Sequence, residues 1–285
     1  MIPAAFDYVR PTSVDECIAA LTEHGDEAKI LAGGHSLIPL MRLRLATPGV
    51  IVDVGRLDDL RGVRQDGDQI VIGALTTHDQ VCNDPLVAEH LAVVAAVTAT
   101  VGDRQVRHRG TLGGAIVHGD SAGDLPTVAL MLDAQMVVQG PAGRRTIPAS
   151  EFFLDYLETS ISPEELLIEV RFPKLTGWGY NYQKFARNAA AWAIVGSCAA
   201  VRRDNGSIAE ARIGLTHMGT TPIRASAVEA ALAGAPAELG ALREAAAKAD
   251  EGTNPPSDLN AKPDFRRHLS QVLTRRALEQ AIASH

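Results

Sequence analysis

Residues 32–41 read Ala32-Gly33-Gly34-His35-Ser36-Leu37-Ile38-Pro39-Leu40-Met41, and this stretch decides the fold. Before it, Lys29 to Ala32 predicts a short buried strand. After it, the apolar run Leu37 to Leu45 predicts a helix. Ser36 is placed to cap that helix, and Pro39 falls in the first turn, where a missing N–H is harmless. The two glycines let the backbone turn sharply and let a phosphate approach the main-chain N–H groups closely. A second pair, Gly113-Gly114, sits in a predicted loop after Thr111-Leu112, as the first sits beside Ser36. Two such loops can hold two ends of one diphosphate; each taken singly is equally a plain turn.

The chain around these loops has 285 residues, which suggests about two domains. It is 46% hydrophobic and 21% charged, so it can bury a sizeable core. Its net charge of −7 argues against a nucleic-acid or anionic-membrane binder. Cys17, Cys82 and Cys198 are far apart, with no Cys-x-x-Cys pair. That argues against a disulfide framework, a zinc site or a cysteine-held iron–sulfur cluster within the chain. Neither Gly-x-x-x-x-Gly-Lys nor Gly-x-Gly-x-x-Gly occurs, so neither a P-loop nor a Rossmann dinucleotide site is supported. The nine histidines are scattered and form no ligand set, so no metal is expected. The N-terminus lacks a basic segment followed by a long apolar one, and no run is long enough to span a bilayer; the expectation is a cytoplasmic protein. At 4% aromatic, the chain has few flat rings to stack on a cofactor.

Working outward, Thr12 or Ser13 caps a helix through Leu21 that Gly25 stops, and Val50 to Val54 is a strand. Val63 to Ile72 is a hairpin turning at Asp66-Gly67-Asp68. Helices are predicted at Asp79 to Cys82 and Leu91 to Thr98, and a polar basic stretch at Arg104 to Arg109. Asp124 caps a helix entering through Leu125-Pro126. Gln135 to Gln139 pairs with Arg144 to Ile147, and Leu166 to Phe172 is a strand ended by Pro173. Tyr180 to Ala186, Ala193 to Arg202 and Ile208 to Thr216 are three strands, followed by Ala-rich helices and a last amphipathic helix from Phe265 to Ile282. The domain boundary is placed where Pro and Gly cluster, between Pro173 and Gly179.

Ala32-Gly33-Gly34-His35-Ser36 with the following Leu37-Ile38-Pro39-Leu40-Met41 resembles the first flavin loop of the FAD-binding medium subunits of molybdenum hydroxylases, the xanthine dehydrogenase and aerobic carbon monoxide dehydrogenase family. The stretch from Gln105 to Gly114 resembles that family's second flavin loop, and Gly119 to Pro126 the segment after it. Phe6-Asp7-Tyr8 and Thr221-Pro222-Ile223-Arg224 also fit, so the resemblance spans nearly the whole chain. It implies an α+β fold. A two-part α/β FAD-binding unit of the vanillyl-alcohol-oxidase (PCMH) type would occupy 1–175, with parts at about 1–56 and 57–175. A three-stranded antiparallel sheet with a helical bundle, like the carbon monoxide dehydrogenase flavoprotein C-terminal domain, would occupy 176–285.

The resemblance also implies site residues. Ala32, Gly33, Gly34, His35 and Ser36, with Thr111, Leu112, Gly113, Gly114 and Ala115, would cradle the FAD diphosphate and ribityl chain. Asp124 would lie near the ribityl or flavin side, Leu167 would offer backbone contacts to the flavin ring, and Lys184 would sit over the cofactor. The sequence departs from the pattern at Ala115 (usually Asn), Ser121 (usually Pro) and Ala190-Ala191 (usually acidic). Each side chain keeps a plainer reading. Asp124 is a helix cap, Lys184 a solvated strand lysine, and His35 a polar loop residue. Arg104, Arg107 and Arg109 form either a solvated loop or phosphate contacts, and Trp192 is either a core residue or a cover for the flavin ring.

The function implied is electron transfer through FAD, with no catalytic acid or base in this chain. A small partner subunit with 2Fe–2S clusters would supply electrons, and a large molybdopterin subunit would oxidise the substrate, in a dimer of heterotrimers. The competing readings are a freestanding flavin oxidoreductase of the same fold and a flavin-free assembly protein.

Overall fold

The first glycine pair leaves the end of a short parallel sheet. The computed structural model describes residues 2–284. Its first part contains β1 (Asp7–Val9), α1 (Val14–His24), β2 (Ala28–Leu31), α2 (Leu37–Arg42) and β3 (Val50–Asp53). The strands pair in parallel in the order β1-β3-β2. Ser13, not Thr12, caps α1: its side chain accepts from the Glu16 N–H at 3.1 Å. Thr12 binds the Glu16 carboxylate instead. Gly25, at φ 50°, ends the helix. Cys17, Ile18 and Leu21 on one face of α1 pack on Val50 and Val52, as the apolar spacing predicted.

Two features of α2 differ from expectation. Ser36 makes no capping bond and already has helical backbone angles, and the chain enters through an Ile38 N–H bond to the Gly34 carbonyl at 3.1 Å. The helix also stops at Arg42 instead of continuing to Leu45. The N–H groups of Leu45 and Ala46 both return to the Leu40 carbonyl, which turns Arg44 to φ 58°.

The middle part holds six consecutive helices, α3 (His78–Asn83), α4 (Pro85–His90), α5 (Ala92–Thr98), α6 (Arg104–Arg109), α7 (Leu112–His118) and α8 (Asp124–Met131), and the short α9 (Ala149–Phe152). Its strands are β4 (Val63–Asp66), β5 (Gln69–Gly73), β6 (Gln135–Gly140), β7 (Gly143–Pro148), the hairpin β8 (Phe153–Asp155) and β9 (Glu158–Thr159), and β10 (Leu166–Pro173). The main sheet is antiparallel, in the order β4-β5-β10-β6-β7. The basic stretch is thus a helix, because Asp103 caps it by accepting from the Val106 N–H at 2.9 Å. Gly113 and Gly114 lie in the first turn of α7 and not in a loop. Asp124 is the first residue of α8, after Gly123, and does not cap it.

The last part contains β11 (Gly179–Phe185), β12 (Val195–Asp204), β13 (Ser207–Thr216) and β14 (Ile223–Arg224), then α10 (Ser226–Leu232), α11 (Leu239–Ala246) and α12 (Pro263–Ala283). The sheet is therefore the three predicted strands plus a two-residue edge strand that pairs with Gly214 and Leu215. Alternation along β12 covers both faces of this sheet. Cys198 and Ala200 join the middle core, while Ala199 and Val201 join the core under α12 with Leu269, Leu273, Ala277 and Leu278. Trp192 precedes β12 and is 55% exposed, so it is not a core residue. Among the described residues no helix is long and apolar enough to cross a membrane.

Candidate functional site

The two glycine segments meet, although 80 residues separate them in sequence. A Cβ at Gly33 would stand 2.3 Å from the Arg109 carbonyl oxygen and 2.8 Å from the Gly110 Cα. Only glycine permits that approach. Gly34, at φ 78°, takes a conformation that L side chains rarely adopt, and packs on Ile38. Beyond β2, the N–H groups of Gly33, Gly34, His35 and Ser36 have no backbone acceptor among the described residues. They are therefore free to donate to an anion.

The second segment is built differently. The Thr111 hydroxyl accepts from the Gly114 N–H at 3.1 Å, capping α7. The Leu112 N–H donates to the Thr76 carbonyl and the Gly113 N–H to the Ala74 carbonyl, at 3.0 and 2.9 Å. Gly113 is glycine because a Cβ would meet Ala74, 2.7 Å from its carbonyl oxygen. Here the glycine serves close packing, and the N–H groups of Leu112, Gly113 and Gly114 are already used. Ala74 also donates to the Ile168 carbonyl, next to Leu167, at a bulge where β10 slips against β6. Leu167 thus precedes the β10 residue that holds Ala74, on which the second segment rests, and its side chain lies in the middle core.

His78 lies beneath the crossing. Its N–H donates to the Gly110 carbonyl at 2.9 Å, and a Cβ at Gly110 would meet its ring at 2.7 Å. Burial, with the charges of His35 and Arg107, pushes its pKa down to about 4, so the ring is neutral. Its Nδ1 is buried and has no partner among the described residues.

A second group of polar side chains joins α8 to β11. Lys184 Nζ lies 2.7 Å from Asp124 Oδ2 and 3.3 Å from the Thr100 carbonyl. The two side chains are only 11% and 5% exposed, which excludes the reading of Lys184 as a solvated strand lysine. The Tyr182 hydroxyl donates to Asp124 Oδ1 at 2.5 Å. Burial raises the Asp124 pKa, opposed by Lys184 and Tyr182. Burial and the adjacent carboxylate raise that of Tyr182, so the phenol keeps its proton. A Cβ at Gly196, the register partner of Lys184, would stand 2.6 Å from the Tyr182 hydroxyl, so Gly196 makes room for it.

Residues 4–175 match the family model described as the FAD binding domain in molybdopterin dehydrogenase, and residues 180–281 match the CO dehydrogenase flavoprotein C-terminal domain. The chain belongs to the FAD-binding medium-subunit family of molybdenum hydroxylases. The medium chain of carbon monoxide dehydrogenase from Hydrogenophaga pseudoflava is 37% identical, with 99% of each chain covered. The alpha subunit of the 6-hydroxypseudooxynicotine dehydrogenase complex of Paenarthrobacter nicotinovorans is 34% identical, over 99% of this chain and 96% of its own. A solved carbon monoxide dehydrogenase from H. pseudoflava superposes with a TM-score of 0.97 at 39% identity, covering 100% of this chain and 99% of its own. As a medium-subunit homologue, the chain is a FAD-binding component of an oxidoreductase.

The residues present fit that cofactor: free N–H groups at a glycine turn suit a diphosphate. Of the predicted residues, the structure brings Gly33 against Arg109-Gly110, Ala32 near Gly114, and Asp124 against Lys184. The sequence reading missed Tyr182 and His78. Tyr182 had a signal, since it lies two residues from Lys184 on the same face of β11; His78 had none, because nothing local marks a histidine for burial.

Proposed function

We propose that the chain is the electron-transfer subunit of a molybdenum hydroxylase, taking electrons from iron–sulfur clusters on a small partner subunit. A large molybdopterin subunit would oxidise the substrate, and the three would assemble as a dimer of heterotrimers in the cytoplasm. The observation that carries this reading is the meeting of Gly33 with Arg109-Gly110, in a turn whose N–H groups have no backbone acceptor among the described residues. Full-length similarity to medium chains supports it.

In this reading Gly33, Gly34, His35 and Ser36 donate main-chain N–H bonds to the FAD diphosphate, with Ala32 leading into the turn. Thr111 to Ala115 act mainly as a wall, since most of their N–H groups are engaged. The bulge at Leu167 presents main chain toward the ring. Lys184, held by Asp124, contributes a fixed positive charge near the flavin, and Tyr182 keeps Asp124 oriented. Bound FAD would supply the one- and two-electron chemistry. In this reading 1–175 and 176–285 are the two domains of the unit.

The chain, tagged in its source cells, is expected to carry stoichiometric FAD together with iron, acid-labile sulfide and molybdenum. A colourless chain that takes up no added FAD would refute the flavin reading. FAD without iron or molybdenum would refute the subunit reading. Gly33→Ala should abolish FAD binding at equal expression, because the added methyl group drives the first loop away from Arg109.

A further inference from the structure

Arg266, on the first turns of α12, is completely buried. A buried arginine is expensive unless it is paired and hydrogen-bonded. Its Nη2 stands 2.8 Å from Asp258 Oδ2 as an ion pair, its Nη1 donates to the Ile194 carbonyl, and the same Nη1 lies 3.1 Å from His217 Nδ1, while Nε and Nη2 make no hydrogen bond among the described residues. His217 follows β13 at φ 63°. Its N–H donates to the Ser121 carbonyl at 2.8 Å, in the loop that leads to Asp124, and its Nδ1 lies 2.8 Å from the Ala193 carbonyl. The Ile194 N–H returns to the Phe185 carbonyl at 2.8 Å. These contacts pin both ends of segment 186–193, which follows Lys184 and carries the exposed Trp192.

The chemistry at His217 Nδ1 is restrictive. It can accept from Arg266 or donate to the Ala193 carbonyl, one at a time. A protonated ring would donate to Ala193 and set its charge against the guanidinium. The charged groups that face His217 are Arg266, Asp120 and Asp258. Burial lowers its pKa, and the Arg266 charge adds to that, while the Ala193 carbonyl and the two carboxylates oppose it.

We propose that Arg266 is a positioning residue: through Ile194 and His217 it fixes segment 186–193 beside Lys184, and its charge opposes that of a protonated His217. That this segment borders the cofactor rests on the flavin reading above; the pinning itself does not.

The test uses the full chain with Trp178→Phe and His118→Gln. Trp192 is then the single tryptophan, and His118, whose ring lies 6.4 Å from it, no longer titrates. Trp192 emission is followed from pH 4 to 8, without and with FAD. Arg266→Met is expected to move the emission midpoint up by about one pH unit, the size of effect a neighbouring charge exerts. Adding His217→Asn should remove the transition, and FAD should bind several-fold more weakly to Arg266→Met. Arg266→Lys keeps a cation and so protects folding, but cannot span the same three partners; a smaller upward shift is expected. An unchanged midpoint in Arg266→Met, or in Arg266→Lys if the methionine variant does not fold, would overturn the proposal. So would a transition whose midpoint and amplitude His217→Asn leaves unchanged; the acid change set by His78 near pH 4 is common to all these variants. Failure of the parent chain to bind FAD would count against the flavin reading alone, because the emission midpoint is read without FAD.

Discussion

Lys184 and Asp124 show what a single residue can and cannot reveal. Alternation along Tyr180, Tyr182 and Lys184 put the lysine on the face of β11 that meets the rest of the molecule. Nothing in the neighbourhood of Asp124 announced an ion pair, and an aspartate before Leu125-Pro126 reads locally as a cap. The structure gives the cap position to Gly123 and turns the carboxylate to Lys184, 60 residues away. Removing one partner of such a pair leaves an uncompensated buried charge, worth about 3–5 kcal/mol. Lys184→Met should therefore lower unfolding stability by that order in urea titrations and weaken FAD binding. Combining it with Asp124→Asn should recover part of the stability and none of the FAD affinity.

At the scale of elements, most strands, the long helix and the short α3, α5 and α8 were legible, whereas α4, α6, α7, α9 and the short strands β1, β8 and β9 were not. The hairpin at Asp66-Gly67-Asp68, the β6–β7 pair and α12 follow from turn chemistry and apolar period. α6 lacks an apolar face and forms through its Asp103 cap. α7 begins with Leu112-Gly113-Gly114, a poor helical start by propensity, and is kept by Thr111 and by the contact of Gly113 with Ala74. Thr111→Ala should accordingly cost about 1 kcal/mol of stability, the usual value of an N-cap side chain. Thermal unfolding with and without FAD would measure it, and the loss should persist with the cofactor present. β14 has only two residues, too few for any periodic signal, and exists because β13 offers an open edge.

For the whole molecule, acid stability depends on His78. The ring is neutral in the folded chain down to about pH 4, whereas an unfolded histidine takes its proton near 6.5. Above pH 6.5 neither state binds the proton, and this stability is fully present. As pH falls from 6.5 toward 4 only the unfolded chain binds it, so stability is lost, by about 3 kcal/mol at most. His78→Gln should flatten the pH dependence of the melting temperature across that window.

The sequence by itself determined the family, the α+β composition, both glycine segments and most strands. These depend on local signals: backbone freedom at glycine, turn residues and the period of apolar side chains. Tertiary structure alone decided that Gly33 rests on Arg109-Gly110, that Gly113 packs on Ala74 with its N–H bonded to the Ala74 carbonyl, and that Asp124 binds Lys184 and Tyr182 instead of capping. It also decided that Trp192 is exposed while Arg266 is buried. Each of these is a contact between residues far apart in the chain, and burial and pairing are properties of such contacts that no local spacing encodes.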